Sequence, residues 1–119
     1  QNSNLMATIS SHSIAKIQKF SPQNLGNTVW ALAKVSIQDF QMLHAIAACS
    51  TLRMAEFRPQ EMSNTAWALA KLGFRHSPLM DALATEVVKD VEELNPHDLS
   101  GIVWSFATLS YTEHTPLLQ

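Results

Sequence analysis

The sequence predicts an all-α chain, an α-solenoid of antiparallel helical hairpins with a 37-residue repeat. Three observations predict it. Residues 27 to 35 read "NTVWALAKV" and residues 64 to 72 read "NTAWALAKL". Trp30, Trp67 and Trp104 share that spacing, and so do Pro22, Pro59 and Pro96. Between these marks apolar residues recur at helical intervals, and a hairpin that cannot bury its apolar face alone stacks on its neighbours.

Residues 1 to 20 are expected to be the second helix of a preceding unit, since Leu5 and Met6 occupy the register of Met42 and Leu43 and of Leu79 and Met80. Residues 21 to 57 and 58 to 94 are then full hairpins, and 95 to 119 a truncated third one with the stump of its partner helix. The first helix of each unit opens on "FSPQNL", "FRPQEM" or "LNPHDL". Proline fits a helical first turn, where its missing N–H would have no partner. Ser21 and Asn95 are good N-caps and Arg58 is a poor one, while Glu61 and Asp98 place negative charge at the positive end of the helix dipole.

Within these helices the apolar stripe runs Leu25, Val29, Trp30, Leu32 and Ala33, with Met62, Ala66, Trp67, Leu69 and Ala70 one period later. Leu99, Val103, Trp104, Phe106 and Ala107 follow in the third. Lying among Ala, Leu and Val, the tryptophans Trp30, Trp67 and Trp104 are expected in the structural core and not as stacking platforms. The helices should end near "KVS", "KLG" and "TLS", with Gly73 a natural stop. The stretches 3 to 19, 39 to 55 and 77 to 93 are expected to form the second helices. In the last of these Leu79, Leu83, Val87 and Val91 make the apolar face.

Composition narrows the function. Hydrophobic residues make up 46% and charged residues 15%, against roughly 25% charged in an average soluble domain, so part of the surface is expected to be covered by further repeats at both ends or by partners. The formal charge of −2 lacks the basic excess of most nucleic-acid-binding domains. The single cysteine, Cys49, excludes an internal disulfide and a multi-thiolate metal site. No uncharged run is long and apolar enough to span a bilayer. The five histidines show no ligand spacing for a metal, and no phosphate loop or nucleophile motif occurs. Neither enzymatic activity nor a cofactor is expected.

The wording "F-S-P-Q-N-L-x-N-T-x-W-A-L-A-K", strongest at 20 to 35 and 57 to 73, resembles the octotricopeptide and heptatricopeptide helical repeats of organellar proteins, the RAP-domain protein family. The RAP domain itself is not in this sequence. The resemblance implies a protein of a mitochondrion or plastid that binds single-stranded organellar RNA or rRNA for RNA processing, stability or ribosome association. The alternative is a non-catalytic scaffold or accessory subunit that binds proteins within a large organellar complex.

Helical-repeat RNA readers present two or three polar side chains per base from one helix of each unit. The face of the first-type helix opposite its stripe carries Gln23, Asn24, Asn27, Thr28 and Lys34, and then Gln60, Asn64, Thr65 and Lys71. Amides both donate and accept toward base edges, and lysine supplies a point charge for phosphate. These are the candidate RNA contacts. A second reading stays open: the repeated Asn-Thr pair bonds the backbone of the neighbouring hairpin.

Overall fold

The computed structural model describes the backbone of residues 2–118 and the side chains of residues 4–110. Among these residues every regular element is helical. Six α-helices follow one another: α1 (Asn2–Ala15), α2 (Pro22–Lys34), α3 (Phe40–Leu52), α4 (Pro59–Leu72), α5 (Ser77–Lys89) and α6 (Pro96–Leu118). Three short 3-10 turns, Ile17–Lys19, Met54–Glu56 and Val91–Glu93, precede α2, α4 and α6.

The helices form two layers. α2 packs along α4 and α4 along α6, while α1 lies against α3 and α3 against α5. The smallest dimension of the molecule is 22 Å, about two helix diameters. The core between the layers is built from Leu25, Val29 and Leu32 of α2, Met62, Ala66 and Leu69 of α4, Leu43 and Ile46 of α3, and Leu79 and Leu83 of α5. Small residues set how closely the upper helices approach: a side chain added at Gly26 would touch Glu61 of α4, and one at Gly101 would touch Ser63.

Local signals explain where these helices start. The Ser21 hydroxyl accepts the Asn24 N–H at 3.0 Å, and the Asn24 side-chain oxygen accepts the Ser21 N–H at 2.9 Å, a complete capping box. Asn95 accepts from the Asp98 N–H at 2.7 Å. At α4 the arginine side chain has no acceptor to offer, and Glu61 compensates by reaching back to the Arg58 N–H at 2.8 Å and its guanidinium at 2.9 Å. In the lower layer Asp39 caps α3 through the Met42 N–H, and His76 caps α5 through the Leu79 N–H.

Four sequence expectations need correction. The lower helices are not continuous to 19, 55 and 93; each stops, passes one residue (Lys16, Arg53 or Asp90), and tightens into a 3-10 turn. The third upper helix does not end near "TLS". Ser36 and Gly73 stop α2 and α4 with positive φ, whereas the backbone stays helical past Ser110 to Leu118 and takes in the stretch expected as a separate stump. The side chains of that stretch lie outside the described residues. Thr65 is 1% exposed because α4 has a neighbour on both sides and that position faces α2. Finally, Trp30 and Trp104 are 40% and 48% exposed and do not belong to the core, while Trp67 is half-buried at its edge.

Candidate functional site

The surface of interest is the outer face of the upper layer. An α-helix turns about 100° per residue, so when Leu25, Val29 and Leu32 point inward, Gln23, Asn27, Trp30 and Lys34 share the far side of α2. All four are exposed. The matching positions of α4 are Gln60, Asn64, Trp67 and Lys71, and those of α6 are His97, Gly101, Trp104 and Thr108. Because α2, α4 and α6 lie side by side, these positions form columns across the face.

The Trp30 and Trp67 rings stand 6.3 Å apart, tilted by 38°. The Lys34 ammonium sits 5.3 Å from the centre of the Trp30 ring, within cation–π range. A cleft of about 250 Å³ opens between the two rings, Asn64, His97, Ser63 and Gly101. It runs into a polar groove between the starts of α4 and α6 whose lining includes Gln60, Glu93, Asn95 and Asp98.

Gln23, Asn27, Lys34, Gln60, Asn64 and Lys71 therefore lie on one face, and three other candidates do not serve it. Asn24 is held in the capping box, Thr28 donates to the Asn24 carbonyl at 2.7 Å, and Thr65 is buried with no hydrogen-bond partner for its hydroxyl. Of the repeated Asn-Thr pair, Thr28 bonds within its own helix. The tryptophans were the missed residues. The signal was available: at about 100° per residue Trp30 lies well away from Val29 and farther still from Leu25 and Leu32, so the helical wheel puts the indole opposite the core.

Arg53 and Arg58 are each paired with a carboxylate. Arg53 bonds the Phe20 carbonyl and pairs with Glu56 at 3.0 Å, and Arg58 pairs with Glu61 at 2.9 Å. Burial pushes the Glu61 carboxyl up, but the hydrogen bonds and charge of Arg58 outweigh it and hold the group below its ordinary value.

The lower layer carries a different surface. Ile17, Ala45, Ala48, Cys49 and Leu52, with Gln18 and Arg53, line a mostly apolar cleft of about 540 Å³, and Leu52 is 87% exposed there. No three His, Cys, Asp or Glu side chains come together as metal ligands among the described residues, and no helix there is long and apolar enough to cross a membrane.

The family model of the RNA-editing substrate-binding complex 6 protein, RESC6, matches residues 1–114. The chain belongs to this family. No curated protein matches it. The match overturns the resemblance to octotricopeptide and heptatricopeptide RAP-domain proteins. The shared wording reflects what stacked helical hairpins require, proline in the first turn and small residues where helices meet, so it does not separate one helical family from another. In this RESC6-family chain the columns of Gln, Asn, Trp and Lys lie on the upper layer and the apolar cleft on the lower one.

Proposed function

We propose that the chain is a non-catalytic subunit segment of an RNA-editing substrate-binding complex in the mitochondrion, and that it works as a scaffold. The observation that carries this reading is the RESC6 family match across residues 1–114. In this reading the two helix layers are a stretch of α-solenoid with a 37-residue unit, a form that offers an extended surface to several neighbours at once. The plastid has no support from the family and is dropped.

The lower apolar cleft is the docking site for a protein subunit. Its lining is mostly apolar beside an exposed Leu52, with Gln18 and Arg53 as the polar members, and an apolar centre with a polar rim is what a protein partner buries. Leu52→Glu removes that surface with little effect on the fold, because the side chain is already in water. In full-length protein purified from organelles, the variant is expected to shift from the heavy complex to light fractions on sedimentation while its melting temperature is retained. Continued sedimentation with the complex would exclude this cleft as the docking site.

A further inference from the structure

We propose that the tryptophan ladder on the outer face of α2, α4 and α6 is a stacking surface for the bases of single-stranded RNA. The proposal does not depend on the lower cleft, which belongs to the other layer. Trp30 and Trp104 hold large ring surfaces in water at 40% and 48% exposure. Each occupies the same position of its helix, and Trp67 lies between them with its ring 6.3 Å from that of Trp30. A protein-docking patch surrounds such an anchor with apolar side chains. Here Asn27, Asn64, His97 and two lysines share the face with the rings, and Val103 beside Trp104 is the exposed apolar neighbour.

That mixture suits nucleotides. Indole faces stack on any base, side-chain amides donate and accept at base edges, and lysine meets phosphate. The Lys34 ammonium sits 5.3 Å from the centre of the Trp30 ring, so a base that displaces it from the ring leaves it within reach of the nucleotide's phosphate. Charge agrees with this. α2 carries no carboxylate, and the single carboxylate of α4, Glu61, is buried and paired with Arg58. The acidic residues Asp81, Glu86, Asp90, Glu92 and Glu93 belong to α5 and the turn after it. The chain is acidic in sum, Lys34 and Lys71 make a cationic column on the tryptophan face, and Glu93 and Asp98 line the groove at the starts of α4 and α6.

The test is binding of a fluorescein-labelled 12-nucleotide uridylate RNA to the full-length protein. Trp30→Leu and Trp104→Leu are each expected to weaken binding about tenfold, and Trp30→Phe to recover part of the loss. Circular dichroism melts identify variants that fold. Should the leucine variants fail to fold, Asn27→Ala and Lys34→Gln, both on exposed positions, replace them and are expected to weaken binding severalfold. Unchanged affinity in folded variants would overturn the proposal. So would ultraviolet crosslinks from 23 to 34 and 60 to 71 that join only protein subunits of the native complex. Sedimentation of the complex reads the scaffold function separately, so failure of one reading is distinguishable from failure of the other.

Discussion

Ser36 has φ 58°, the left-handed conformation that Gly73 adopts at φ 65° one unit later. Both residues close the same motif. The Ser36 N–H bonds the Ala33 carbonyl and the Ile37 N–H bonds that of Leu32, just as Gly73 bonds Ala70 and Phe74 bonds Leu69. Glycine takes this geometry without a steric penalty, whereas serine has a Cβ against the following carbonyl. Ser36→Gly is therefore expected to stabilise the protein by about 1 kcal/mol, read as a higher midpoint in urea at unchanged slope; a lower midpoint would show that the serine hydroxyl contributes more than its backbone costs. Gly73 was legible as a stop because glycine announces the conformation. Ser36 was not, since nothing in the residue type does. The tryptophans failed for a different reason: residue type suggested the core, and only the angular position on the helix separates Trp30 from Val29.

At the scale of elements, the starts of α2, α4 and α6 were legible because proline and its neighbours act within one turn. The 3-10 turns were not, because Lys16, Arg53 and Asp90 share no chemistry that marks the break. The burial of Thr65 was also hidden, since it depends on which helix lies beside α4. Caps can be tested by pH. His76 holds the first turn of α5 by accepting the Leu79 N–H at Nδ1, which requires the neutral ring. Burial, then the nearby His44, lowers its pKa from the ordinary 6.5. The unfolded chain thus binds the proton more readily. The cap contributes fully above pH 6.5 and is lost as the pH falls through the lower folded value. The cost is about 1 kcal/mol. Thermal melts between pH 8 and pH 5 should show this decline, and His76→Asn, which caps without titrating, should flatten it. An equal decline in both proteins would assign the pH dependence to other groups.

Across the whole molecule the net charge of −2 conceals a division between layers, and that division decides how salt should act. If RNA lies on the upper face, its phosphates meet Lys34 and Lys71, while Asp81 and Glu92 line neither the cleft between the rings nor the groove beside it. Each phosphate contact to single-stranded RNA contributes about 0.7 to the slope of log affinity against log salt. Lys34→Gln with Lys71→Gln should therefore reduce that slope by about 1.4. Asp81→Asn with Glu92→Gln changes the net charge equally in magnitude at two exposed positions. Placed on the other layer, it should leave the slope unaltered. A mean-charge attraction would instead respond to both pairs alike. The measurement is a salt titration of uridylate RNA binding for the parent protein and the two double variants. Equal slopes in all three would remove the lysines from the contact, whereas a change confined to the lysine pair ties RNA affinity to one face of a scaffold whose overall charge opposes it.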